Sequence, residues 1–415
     1  MVMKLYEQLA QSIIEHIEQG YYLEGGKLPS IRNLSQSHEV SISTAQEEYR
    51  LLEDAGWAES RAKSGYYVLK PHTSNLRLPK VTRPAQKPVE IAQWVDVLNL
   101  VNANNESNII QLGRGSPDLS APTLTPLIRI QSELNRQSPL NTLAYGNLKG
   151  HSELRKQIVR LMVDSGCRLH QDGVITSAGC QEALSCLRAV TQPGDVVVVD
   201  SPSFYGSMQA FKAQGLKVLE IPTHPETGMS LEALELALEQ WPVKVIQLTP
   251  TCNSPLGYTI PVESKQRLLE LATQYDIPII EDDIYGDLAY QLPRPPSKKS
   301  FDVDGRVLSC SSFSKSLAPG FRVGCAAPGR YLNQVLHFKY VVTASTSTLP
   351  QLSIAEFIAQ GGYERYIRKM RKQYQQSRDV MTGWVDRYLP EKRRISHPQG
   401  GFVLWGGAAT EDRHG

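Results

Sequence analysis

The stretch SSFSKSLAPGFRVG, Ser311 to Gly324, sets Lys315 among hydroxyls and small residues and places Arg322 seven positions later. A lysine amine can condense with an aldehyde, and an arginine presents a planar cationic fork suited to phosphate. Alone, such a loop reads first as a structural loop with its lysine facing solvent. Companions stand at the ends of other predicted strands. In ITSAGCQEAL, Gly179 precedes a helix whose first amides, from Cys180, Gln181 or their neighbours, could seat a phosphate, with Ser312 and Ser314 adding hydroxyls. DSPSFYGS puts Phe204 and Tyr205 just past a strand, where a ring could cover a planar heterocycle or simply pack a turn. Asn253 in TPTCNSPLG can donate to a phenolate oxygen. Asp282 and Tyr285, three apart in IIEDDIYGDL, offer a carboxylate able to hold a pyridine nitrogen protonated and a phenol able to meet the same ring oxygen as Asn253. Together these match the polar edges of pyridoxal 5'-phosphate, with Lys315 forming the imine with its aldehyde, an internal aldimine.

The elements that must position them are short, apolar runs: DVVVVD, KVLEIP, VKVIQLTP, IPIIED and RVLSCSS. Strands apolar through their length, separated by helical segments such as SKQRLLELATQY, predict a mainly parallel sheet covered on both faces. In such a doubly wound α/β domain, ligands gather at the C-terminal ends of the strands. The later GGYERYIRKMRKQYQQSRDVMTGWVDRYL predicts one long amphipathic helix or a helix pair. At 415 residues, with 41% hydrophobic and 21% charged residues, the chain exceeds one core and two or more folding units are expected. The net charge of +2 neither requires nor excludes nucleic acid. The six cysteines, without a CxxC pair, read as reduced, mostly buried thiols of a cytoplasmic protein, and no metal site is expected. No uninterrupted apolar run is long enough for a bilayer, and the first residues are not a signal peptide.

Three zones organise the chain: residues 1–70, a Pro-rich and then briefly helical linker over 71–108, and the α/β region over 109–415. In the first zone, Ser30 can cap a short helix with Ile31 and Leu34 inward. HEVS supplies a turn, and a second helix starting near Ser43 buries Ala45, Tyr49 and Leu52. A hairpin, WAESRAKSGYYV, returns near Gly65, which completes a winged helix-turn-helix. Ser41, Ser43 and Thr44 sit at the start of the second helix, where hydroxyls reach phosphates or base edges; Arg32, Arg50, Arg61 and Lys63 are peripheral contacts to double-stranded DNA. A small helical docking domain is the plainer alternative. Seven basic against ten acidic side chains leave the module at −3, so it should bind weakly alone, and a dimer presenting two modules to a two-fold operator would recover affinity.

LPSIRNLSQSHEVSISTAQEEYRLLEDAGW…SGYYV resembles the GntR-type winged helix, with Ile42 where relatives often carry arginine. The Lys315 set resembles fold type I, aspartate-aminotransferase-like enzymes. That resemblance implies a phosphate loop at Gly179, Cys180 and Gln181, a stacking ring at Phe204, and roles for Asn253, Asp282, Tyr285, Ser312, Ser314 and Arg322 around the cofactor. Tyr145 in LAYGNLKGHSELR looks like the tyrosine that reaches the phosphate of the neighbouring subunit, which implies a homodimer. The conjunction resembles the MocR subfamily of regulators, in which pyridoxal phosphate or its adduct with an amino acid or other amine alters DNA binding. The ending HPQGGFVLWGG resembles the start of the small-domain strand Pro-x-Gly-Gly-x-Phe. The C-terminal subdomain is expected to be short, and no residue, Arg413 included, is assigned the arginine that holds a substrate α-carboxylate. The winged helix together with the Lys315 set makes a regulator sensing the cofactor the leading reading, an aminotransferase with an accessory DNA module the alternative, and an empty scaffold the third.

Overall fold

A computed structural model describes residues 5–61, 64–69, 77–91, 98, 112–113, 115–137, 139–389 and 394–407. The chain divides into two compact units, residues 1–75 with 376–391, and residues 76–375 with 392–415.

In the first unit, α1 (Leu5–Glu18), α2 (Ile31–Ser37) and α3 (Ile42–Asp54) precede a hairpin of β1 (Ala58–Arg61) and β2 (Gly65–Val68). Helix α1 buries Ala10, Ile13 and Ile17 at helical spacing. Ser30 starts α2 by accepting from the Asn33 amide at 3.2 Å. Ser41 starts α3 by accepting from the Thr44 amide at 3.1 Å, so the second helix begins at Ile42, slightly earlier than expected. Both caps have extended backbone, the conformation that turns a side-chain oxygen onto an otherwise unpaired helical N–H. Ala45, Tyr49 and Leu52 are fully buried. The Tyr49 ring stacks on Tyr66 at 4.1 Å, and its hydroxyl donates to Pro29 O. Gly65 has φ +104°, a backbone conformation that opens the return of the wing. On the same buried stripe, Glu48 is 0% exposed and neither carboxylate oxygen has a hydrogen-bond partner among the described residues.

The second unit is built on an eight-stranded sheet of order β3-β10-β9-β8-β7-β4-β5-β6. Its strands are β3 (Ile175–Ser177), β4 (Val196–Ser201), β5 (Lys217–His224), β6 (Gly228–Met229), β7 (Val243–Leu248), β8 (Ile279–Asp282), β9 (Val307–Ser312) and β10 (Gly324–Ala327). The five runs read from sequence are β4, β5, β7, β8 and β9, and every pairing among them is parallel. Strand β10 lies antiparallel between β3 and β9, and β6 is antiparallel to β5. Strand β4 shows why these strands do not alternate apolar with polar: Val196 and Val198 enter one core cluster while Val197 and Val199 enter another.

Helices α4 (Thr125–Gln137), α5 (Pro139–Leu143), α6 (Ser152–Asp164), α7 (Cys180–Leu184), α8 (Tyr205–Ala213), α9 (Leu231–Gln240), α10 (Val262–Gln274), α11 (Phe313–Ser316), α12 (Leu332–Val342) and α13 (Thr348–Ala359) follow in chain order. The long amphipathic segment is one helix, α14 (Gly362–Tyr388), and a short pair, β11 (Arg394–Ile395) and β12 (Gly406–Gly407), comes after it.

Within the stretch read as a linker, residues 77–91 are tied to the second unit. Val89 exchanges two backbone hydrogen bonds with Val218 on β5, and the Ile395 amide donates to Arg77 O. The Arg394 guanidinium donates to Leu78 O at 2.7 Å.

Candidate functional site

The strands of the second unit deliver the expected residues to one edge of the sheet. Gly324 pairs with both Ser177 at the end of β3 and Ser312 at the end of β9, so the turn after β3 and the lysine loop are neighbours. A Cβ on Gly324 would lie 2.7 Å from the carbonyl carbon of Gly179 and 2.8 Å from Ser311 O; only glycine lets these segments approach. Gly179 itself has φ +88°, and a Cβ there would collide with the Arg322 guanidinium. Arg322 donates to Ser314 Oγ at 3.1 Å, Pro319 O at 3.3 Å and Ala178 O at 3.2 Å. Ser312 caps α11, with its Oγ 3.0 Å from the Ser314 amide and 2.8 Å from Ser314 Oγ. A forked cation, two hydroxyls and the Gly179 turn therefore share one small region, a donor set able to hold a phosphate ester. Gln181 joins this turn to the next element by donating from Nε2 to Gly206 O at 3.0 Å.

Lys315 lies in α11 and donates from Nζ to Gly115 O. A Cβ on Gly115 would lie 3.4 Å from Lys315 Nζ and 3.7 Å from Tyr285 Oη, so amine and phenol converge on the same glycine. Burial holds the Lys315 amine below the ordinary lysine range, against the opposing pull of Asp282. A lowered amine pKa raises the fraction of the neutral, nucleophilic form. Asp282 closes β8 at 5% exposure, and burial pushes its carboxyl up to about 6. The Cys180 thiol and the Ile284 amide, each 3.2 Å from Oδ1, oppose that rise. Burial also raises the Tyr285 phenol, with Asp282 adding to the effect. The Tyr285 ring meets Phe402 edge-on at 5.6 Å.

Asn253 and Phe204 complete the edge. The Asn253 amide donates to Asp200 Oδ2 at 2.7 Å, and its oxygen accepts from the Leu256 amide at 3.2 Å. Phe204 precedes α8, its ring 4.8 Å from that of Tyr205. Tyr145 stands apart. Its side chain is 94% exposed, and the cavity it lines, formed by residues 142–146 and 345–348, contains none of the other expected residues.

Several residues bonded to this set escape the sequence reading. Asp200 at the end of β4 is buried, accepts from both Asn253 and Tyr258, and has its carboxyl raised to about 6 by burial. Gly115 and Glu182 are the others; Glu182 accepts from the Ala178 amide in the turn after β3 and from Thr343 Oγ1 at 2.7 Å. A polar residue ending an otherwise apolar strand was the available signal for Asp200.

In the first unit, Ser41, Ser43 and Thr44 form a hydroxyl cluster at the start of α3, with Ser41 Oγ 2.8 Å from both neighbouring hydroxyls. Arg32 is exposed on α2. Arg50 pairs with Glu47 and Arg61 with Glu59, the latter guanidinium also lying 4.2 Å over the Tyr67 ring. Lys63 lies outside the described residues.

Residues 5–68 match the family described as bacterial regulatory proteins, gntR family, and residues 107–414 match aminotransferase class I and II. The chain belongs to the GntR-type transcriptional regulators that carry an aminotransferase-like domain, the MocR subfamily. It is similar to the uncharacterized HTH-type transcriptional regulator YjiR of Escherichia coli, with 48% identity over 404 residues, 97% of this chain and 86% of that protein. Its similarity to YdcR of the same organism, also an uncharacterized HTH-type regulator, is 34% identity over 97% of this chain and 86% of YdcR. Among solved structures, Pyrococcus horikoshii kynurenine aminotransferase, determined with PMP and kynurenine, superposes with a TM-score of 0.69 at 31% identity, covering 79% of this chain and 80% of that one. The second unit of this MocR-type regulator therefore has the fold of a group that is generally pyridoxal-phosphate-dependent. Among the described residues, no helix is long and apolar enough to cross a membrane, and Cys167, Cys180, Cys252, Cys310 and Cys325 are buried thiols outside any disulfide.

Proposed function

We propose that this regulator binds pyridoxal 5'-phosphate at the Lys315 site and couples occupancy of that site, by the cofactor or its adduct with an amine, to operator binding by the winged helix. The carrying observation is the convergence of the Lys315 amine and the Tyr285 phenol on Gly115, with the buried Asp282 carboxylate acting on both. The residues fit the group chemically. Arg322, Ser312, Ser314 and the Gly179–Gln181 turn would take the phosphate. Asp282, a buried carboxylate raised to about 6 and without an ion pair among the described residues, suits a protonated ring nitrogen. Asn253 and Tyr285 would hold the phenolate oxygen, and Phe204 would cover the ring.

When bound, the group supplies an aldehyde and an electron-accepting ring. Burial keeps the Lys315 amine ready to lose a proton, and Asp282 retains negative charge where a ring cation would need it. Arg322 would hold the phosphate through its fork and so orient the group relative to the Lys315 amine. Tyr145, exposed in one chain, suits a role in the site of a second copy, which makes the functional form a homodimer carrying two winged helices. In the winged helix, the Ser41–Thr44 cluster and Arg32, Arg50, Arg61 and Lys63 would contact DNA, and a cytoplasmic location accords with that role.

Selection of genomic DNA fragments by the full chain, with and without pyridoxal phosphate, tests the proposal. Sequence-selective binding that changes with the cofactor is expected. Absence of selective binding in both conditions contradicts it.

A further inference from the structure

Strands β4 and β5 pair in parallel up to Ser201 and Pro222. At this end, two threonine hydroxyls relay between the backbones. The Ser201 amide donates to Thr223 Oγ1 at 2.9 Å, and that hydroxyl donates to Ile221 O at 2.9 Å. In the companion relay, the Thr223 amide donates to Thr82 Oγ1 at 3.3 Å, and Thr82 Oγ1 donates to Ser201 O at 2.9 Å. The first hydroxyl belongs to β5 itself. The second comes from residue 82, 119 positions before the carbonyl that it meets.

The location gives this relay its meaning. Ser201 follows Asp200, which accepts from Asn253 and Tyr258, and precedes Phe204 by three residues. The segment carrying Thr82 is laced to other parts of the same scaffold. Val89 pairs with Val218 on β5, and Lys212, on the helix that Phe204 precedes, donates from Nζ to Ile91 O at 3.2 Å. The Arg77 and Leu78 carbonyls accept from β11. Residues 77–91 thus form a strap bonded to the strand end and helix that present Asp200 and Phe204. In sequence, the strap begins just after the first unit's boundary at residue 75.

We infer that Thr82 is a positioning residue that couples this strap to occupancy of the Lys315 site, which makes residues 77–91 the ligand-responsive stretch at the sequence start of the second unit. A bonded hydroxyl in a backbone relay has no substitute in an apolar isostere, so loss of Oγ1 leaves the Ser201 carbonyl and Thr223 amide without this bridge. The inference rests on the pyridoxal phosphate reading proposed above.

The test is hydrogen exchange of the full-length protein by mass spectrometry, with and without pyridoxal phosphate, in wild type, Thr82→Val and Thr82→Ser. In wild type and Thr82→Ser, the cofactor should slow exchange both in the Lys315 peptide and in peptides covering 77–91. In Thr82→Val, the Lys315 peptide should still respond while the slowing over 77–91 falls by about threefold or more, the scale of one hydrogen bond. Equal slowing of the strap in wild type and Thr82→Val overturns the coupling while leaving cofactor binding intact. So does a wild-type strap that ignores the cofactor while the Lys315 peptide responds, whatever the stability of the variant. A wild-type protein that takes up no cofactor by absorbance overturns the binding reading, and the inference with it.

Discussion

Glu48 provides a quantitative test of the winged-helix core. It lies between Ala45 and Leu52 on the buried stripe of α3, is 0% exposed, and has no partner for either oxygen among the described residues. Burial raises its carboxyl from the ordinary 4.5 to about 7. The folded state therefore retains a proton that the unfolded chain releases between these values. Stability linked to this group is complete below pH 4.5 and is lost as pH rises through about 7. At about 1.4 kcal/mol per pH unit, the difference amounts to about 3 kcal/mol above pH 8, an upper value because structural relaxation and water entry lower the cost. Glu48→Gln removes the charge at nearly constant volume. In the full chain, the opening free energy of α3, measured by hydrogen exchange in a urea series at pH 5 and pH 8, should fall with pH in wild type and stay nearly level in the variant. The variant should be more stable at pH 8 by up to that amount. A wild-type α3 equally stable at both pH values, or a variant that loses stability at pH 8, refutes the assignment of Glu48 as an unpaired buried acid.

Two further substitutions test individual contacts. Arg322→Lys replaces a fork that reaches Ser314, Pro319 and Ala178 with a single point of charge, and should weaken pyridoxal phosphate binding by about tenfold in an absorbance titration; unchanged affinity would remove Arg322 from the phosphate site. Ser41→Ala deletes the cap of α3 and should cost that helix about 1 kcal/mol. Thermal melting of the first unit's signals checks this, and an unchanged melt would show that Thr44 or Ser43 supplies the cap instead.

Local chemistry made much of this architecture legible. Ser30 and Ser41 announce their helices because a hydroxyl before an apolar stripe satisfies an amide three residues on. Strands β4, β5, β7, β8 and β9 announce themselves because a parallel sheet covered on both faces leaves no polar alternation. Lys315, Asp282 and Tyr285 lie at or just beyond a strand end, and Arg322 just before the antiparallel β10, the side of the sheet where topology gathers ligands and where sequence reading looks for them.

What remained hidden depends on contacts distant in sequence. Nothing beside Gly115 foretells that Lys315, 200 residues later, donates to its carbonyl. The pairing of Asp200 with Tyr258 spans 58 residues, and Thr82 meets Ser201 across 119. A Pro-rich composition suggested a linker for 71–108, because such composition reports the lack of a regular element and not the lack of bonds. Glu48 could have been placed on the buried face by its spacing from Ala45 and Leu52. Its lack of a partner is a property of the packed core alone.

The most direct measurement of the central claim is to incubate the full chain with pyridoxal phosphate, reduce with borohydride, and map the modified peptide by mass spectrometry in wild type and Lys315→Ala. Binding at the Lys315 amine predicts a phosphopyridoxyl group on Lys315 in wild type and its loss in the variant. A label on another lysine that persists in Lys315→Ala, or no label on wild type, contradicts the account.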